Sequence, residues 1–69
     1  MRITKKHIKA FREQFAKELE ALNNAKGGKR FSEEEIRFEA FETEDYVIKQ
    51  YIMAGQTPEQ AAREMDMYE

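Results

Sequence analysis

Ile8, Phe11, Phe15, Leu19 and Leu22 recur at spacings of 3, 4, 4 and 3. At about 100° per residue they fall on one narrow helical stripe. Phe11 and Phe15 are i,i+4 neighbours, as are Phe15 and Leu19, the pairing that meets along a helix face. Thr4 is placed to cap this helix, and Asn23, Asn24, Gly27 and Gly28 tolerate the left-handed conformation that ends one. The spacing predicts a helix over about residues 5–25.

After a short basic loop at Lys26–Arg30, Ser32-Glu33-Glu34-Glu35 forms a capping box with Glu35 in the reciprocal position. Its three carboxylates suit the positive end of a helix dipole. Residues 36–41 fit two periods. Ile36, Phe38 and Ala40 alternate with Arg37, Glu39 and Phe41 as in a half-buried strand, whereas Ile36, Ala40 and Phe41 also make a helical patch. Helix is preferred, because no second strand is at hand to satisfy an isolated strand's backbone.

Thr43-Glu44-Asp45 reads as another start, with Thr43 as cap. Val47, Ile48, Tyr51 and Ile52 then form one face and Gly55 stops it; a single kinked helix over about 33–54 is the alternative. Thr57-Pro58-Glu59-Gln60 combines a second capping box with proline at the first helical position. Ala61, Ala62 and Met65 give the last helix a small apolar face, ending near Met67 with Tyr68 and Glu69 frayed. The expected fold is all-α, a small three- or four-helix domain over residues 1–69, with 36–41 as a strand the variant. Its expected core packs the first stripe against Ile36, Phe41, Val47, Ile48, Tyr51, Ile52, Ala62 and Met65.

Sixty-nine residues make one domain, and a fold of this size buries only about 60% of its open-chain surface. Hydrophobic residues are 41% of the chain and charged residues 38%, so the core is thin. Small scaffolds add disulfides, a metal or a partner subunit. The chain has no Cys, which removes disulfides and thiolate metal sites. Self-association or a bound partner is therefore expected. No stretch approaches the roughly 20 apolar residues of a membrane span. The opening MRITKKHIKAFREQF lacks the apolar run and cleavage site of a secretory signal. A cytoplasmic location is the resulting expectation.

The net charge of −2 conceals a division. Residues 1–30 carry nine basic and three acidic residues, a net of +6; residues 31–69 carry three basic and eleven acidic ones, a net of −8. A chain so polarised can neutralise itself, pair with a second copy, or offer either pole to a partner. On a helical wheel Arg2, Lys5, Lys6, Lys9 and Arg12 gather on one flank of the stripe. Positive charge at a helix N-terminus opposes the dipole, so this flank is expected to meet something negative. The opposite candidate is an acidic face of Glu34, Glu35, Glu39, Glu42, Glu44 and Asp45, able to mimic phosphates toward a basic partner. A solvated surface is the plain reading of both.

Catalytic chemistry finds no support in the inventory. His7 is the single histidine and reads as a surface residue. Ser32 and the three threonines read as caps or turn residues, with no base to activate them. Gly27-Gly28 lacks the strand and spacing of a phosphate loop. The acids lack the loop geometry of a calcium site and the cleft of a paired-carboxylate hydrolase. No enzyme, cofactor or metal is expected. Gly55–Met65 has the rhythm of the first helix of a helix-turn-helix, but only Asp66-Met67-Tyr68-Glu69 follows where a recognition helix is needed. Met53, Met65 and Met67 with Tyr51 and Tyr68 fill a core or, less simply, form an adaptable contact surface.

Ala21-Leu22-Asn23, Gly28-Lys29, Ser32 with Glu35-Ile36-Arg37-Phe38, Ile48-Lys49 and Tyr51-Ile52-Met53 resemble the small bacterial GnsA/GnsB family over about residues 15–53. This chain continues through a further helix that the family pattern lacks. The resemblance implies a small bacterial or prophage-borne regulatory protein associated with membrane-lipid composition, without a catalytic site, and it favours the strand over 36–41. It carries no functional residue across. The function expected from the residues is a non-enzymatic protein-interaction module, of the kind found as phage, prophage or plasmid accessory proteins. A nucleic-acid-binding regulator using the basic flank, or a peripheral membrane binder using the amphipathic first helix, are the alternatives.

Overall fold

The computed structural model describes residues 2–25 and 31–67, with the side chain of Met67 left aside. The predicted loop at 26–30, with Gly27 and Gly28 as helix stops, and the frayed Tyr68 and Glu69 lie outside these residues. Among the described residues, the chain forms helix α1 at Lys5–Ala25, α2 at Glu33–Arg37, a π-helical turn at Phe38–Glu42, α3 at Asp45–Met53 and α4 at Pro58–Met67. No strand occurs among them, so residues 36–41 are helical, as the cap at Ser32 dictates.

Each boundary follows from local chemistry. Thr4 opens α1: its Oγ1 accepts from the His7 N–H (3.4 Å) and its carbonyl from Ile8 (3.1 Å). Nδ1 of His7 accepts in return from the Thr4 N–H at 3.2 Å, so His7 fills the reciprocal place of a capping box. Ser32 and Glu35 form the same box at α2, as do Thr57 and Gln60 at α4 (3.2 and 3.0 Å). Gly55, at φ +77°, ends the α3 segment, a conformation that costs little only without a Cβ.

α1 is the spine. At about 1.5 Å rise per residue its 21 residues span most of the 39 Å long axis, and every other element packs on it, α4 most extensively. Ile8, Phe11, Phe15, Ala16 and Leu19 are buried along its inner face. Ile36, Ala40, Ile48, Ala61 and Ala62 join them from the covering elements. Leu22, Tyr51, Ile52 and Met65 are partly buried against this cluster. Phe15, Leu19 and Ile48 are fully buried, each worth about 1.5–3 kcal/mol of apolar burial. Tyr51 fastens α3 to the middle of the spine: its ring stacks on Phe11 (5.8 Å, 8°) and meets Phe15 edge-on (6.0 Å, 68°).

The structure adds one core residue and corrects three expectations. Phe31, absent from the expected core, is 1% exposed and belongs to it. Asn23 holds it there, donating from Nδ2 to the Phe31 carbonyl and accepting its N–H at Oδ1, both at 2.9 Å. Phe41, expected inside, is 49% exposed. The Thr43 N–H bonds the Phe38 carbonyl five residues back (2.9 Å). This wider turn leaves Ala40 inward and swings Phe41 out. Thr43 does not cap α3, whose N-cap position is Glu44 with no side-chain cap bond. Residues 33–54 are not one kinked helix, because Thr43 and Glu44 are extended, at ψ 152° and 149°. No helix among the described residues is long and apolar enough to cross a membrane.

Candidate functional site

The first turn of α1 contains no acidic residue, and Lys5, Lys6 and, one turn on, Lys9 stand in solvent after exposed Arg2. Among the described residues, none of the three lysines makes an ion pair or side-chain hydrogen bond. They therefore oppose the α1 dipole without local relief.

Arg12 behaves differently from the rest of the predicted basic flank. Its side chain is 12% exposed and turns inward to Asp45, Nη2 to Oδ1 at 2.8 Å. Nη2 also donates to the Thr43 carbonyl (2.6 Å) and Nη1 to the Ala40 carbonyl (3.1 Å) and Thr43 Oγ1 (3.4 Å). Thr43 Oγ1 in turn donates to the Glu39 carbonyl at 3.0 Å. A helical segment leaves its last carbonyls without intrahelical donors. Arg12 and Thr43 supply those donors at the end of the π turn, with positive charge at the negative dipole end. Arg12 is thus a structural clasp between α1 and the π turn, withdrawn from the exposed flank.

Beside this clasp lies an open groove of about 400 Å³ between α1 and the segment carrying Phe41 and Asp45. Lys5, Lys9 and Glu13 line it from α1 with buried Ile8 beneath them, and Phe41 forms part of the other wall. A large side chain is the scale of object that such a volume admits. Sequence reasoning missed the groove because it put Phe41 and all of Arg12 in the wrong environments.

The predicted acidic face does not form one surface. Glu33, Glu34 and Glu35 occupy the first turn of α2, with Glu35 used in its cap. Glu39 is half-buried, and that burial, then the neighbouring Glu35 charge, raises its carboxyl pKa above the ordinary value. Tyr51 is raised too, by burial first and then by the charges of Glu39 and Glu64. Asp45 reaches the groove, and Glu42 and Glu44 stand exposed next to Phe41 and Asp45 in the chain. The structure therefore unites Lys5, Lys9, Arg12 and Asp45 around one feature, and leaves Arg2, Lys6, Glu34, Glu35, Glu39, Glu42 and Glu44 outside its lining. Phe38, Tyr46 and Met53 are exposed at 53%, 62% and 77%; Met53 therefore does not fill the core as first read, and Phe38 and Tyr46 were not singled out as surface anchors by the sequence pattern.

His7 is exposed and engaged in its own helix cap. Among the described residues, no three His, Cys, Asp or Glu side chains are grouped closely enough to hold a metal ion. No family model matches the chain, and no match is found among curated proteins or among solved structures.

Proposed function

We propose that this chain is a non-enzymatic, cytoplasmic protein-interaction module that works through the groove beside the start of α1. The observation that supports it is the pair of exposed lysines, Lys5 and Lys9, without an ion pair among the described residues, lining a groove floored by Ile8 and walled by half-exposed Phe41. An apolar centre with a charged rim is the anatomy of a protein contact, where the centre supplies affinity and the rim supplies partner choice. Glu42 and Glu44 stand close along the chain to the groove-lining residues and disfavour a continuous phosphate backbone there.

The test compares the full chain with a Lys5→Glu/Lys6→Glu/Lys9→Glu variant, immobilised and exposed to cell lysate. Helix content by circular dichroism should match, because all three side chains are in solvent. Proteins retained by the parent and lost by the variant support the reading. Equal retention by the two contradicts it. So does tight binding of duplex DNA or anionic vesicles by the parent at about 150 mM salt.

A further inference from the structure

We infer that the groove is a docking site for a second copy of this chain, arranged about a two-fold axis. The inference rests on the reading of this surface as a protein-contact face and names its occupant. The groove's lining differs in charge from side to side: Lys5, Lys9 and Arg12 outweigh Glu13 on α1, and Asp45 stands across from them beside Phe41. On the α1 side Lys5 and Lys9 are exposed and unpaired, with Glu13 offsetting them in part. Beyond the lining on the other side, exposed Glu42 and Glu44 flank the lining residues Phe41 and Asp45 in the chain and make no ion pair among the described residues. Arg12 and Asp45 neutralise one another where the sides meet.

A two-fold axis running along such a groove lays the lysine side of one copy over the glutamate side of the other, and does so twice. An isologous contact demands this self-complementarity. Each Phe41 then faces the partner's groove, above Ile8. A wholly acidic partner satisfies the lysines and is repelled by Glu42 and Glu44. A second copy matches both sides. It also covers aromatic surface, at Phe41 and adjoining Tyr46, that so small a chain leaves in water, and it supplies the partner subunit with which small scaffolds supplement a thin core.

Sedimentation equilibrium of the full chain tests this at about 50 mM and about 500 mM salt. A species of about twice 8.2 kDa is expected at low salt, shifting toward monomer at high salt. Lys5→Glu/Lys9→Glu and Glu42→Lys/Glu44→Lys should each weaken self-association about tenfold or more. Mixing the two variants should restore a one-to-one pair, since each then offers what the other lacks. Phe41→Ala should weaken the pair without altering helix content. A monomer at all chain concentrations up to about 1 mM overturns the inference, as does a dimer indifferent to salt and to both reversals. A monomer whose lysines still capture a foreign protein overturns it while leaving the interaction reading intact.

Discussion

Replacing Arg12 by alanine removes a side chain that ties α1 to both the end of the π turn and the start of α3. Four contacts are lost: two to backbone carbonyls, at Ala40 and Thr43, one to Thr43 Oγ1 and one to Asp45. Hydrogen bonds from a charged donor contribute about 1.5–3 kcal/mol each, and a buried carbonyl left without a donor costs about 1–3 kcal/mol. The bonds share one guanidinium and are partly reached by water, so the expected loss is about 2–4 kcal/mol. A chain of 69 residues has a total stability of about 3–10 kcal/mol, so Arg12→Ala removes a large fraction of it. Urea unfolding followed by circular dichroism measures the loss, and thermal unfolding should fall by at least about 10 °C. Asp45→Asn separates the two possible origins. Asp45 is 59% exposed, so its ion pair is screened and its loss should cost less than about 1 kcal/mol. If the two substitutions cost the same, the carbonyl contacts carry nothing and the clasp reduces to a surface ion pair.

Phe31→Ala empties a fully buried site and should cost about 3–5 kcal/mol, enough to unfold much of the population at 37 °C; a urea midpoint within error of the parent refutes its core placement. Glu39→Gln should stabilise by a few tenths of a kcal/mol at pH 7, since the carboxyl pKa is raised and the site is partly solvated. The sign follows from linkage: a raised folded pKa means that the carboxyl's contribution is fully present below its ordinary value of 4.5 and is lost as pH rises through the folded value. The difference from the parent should accordingly shrink below about pH 4, and a less stable variant at pH 7 contradicts it. Gly55→Ala meets no atom within 4 Å yet must hold φ +77°, so it should cost about 1 kcal/mol from backbone strain alone; an unchanged melting temperature refutes that.

Much of the framework was legible because single residues announce it. The stripe from Ile8 to Leu22, the boxes at Ser32 and Thr57, and Gly55 are local signals, and the helices begin and end where those signals stand. The errors cluster where tertiary contacts override local ones. Phe31 lay outside the expected core because what holds it there, its two hydrogen bonds with Asn23, comes from eight residues earlier. The π turn has no local signature, and its extra residue per turn decides which of Ala40 and Phe41 faces inward. Arg12 sits in a row of basic residues, but Thr43 and Asp45, more than 30 residues away, draw it inside. The groove depends on both of these features, so its lining was beyond reach while its lysines were in view.

Hydroxyl-radical footprinting read by mass spectrometry tests the central claim most directly, since it ranks side chains of one chemistry by access to solvent. Five phenylalanines serve as internal standards. Phe11, Phe15 and Phe31 should be protected, at 6%, 0% and 1% exposure, and Phe38 and Phe41 should oxidise readily, at 53% and 49%. Protection of Phe41 that appears only as chain concentration rises would locate the docking surface as well. Oxidation of Phe15 or Phe31 at the rate of Phe38 would mean that α1 is not sheathed, and the groove built on it would fall with it.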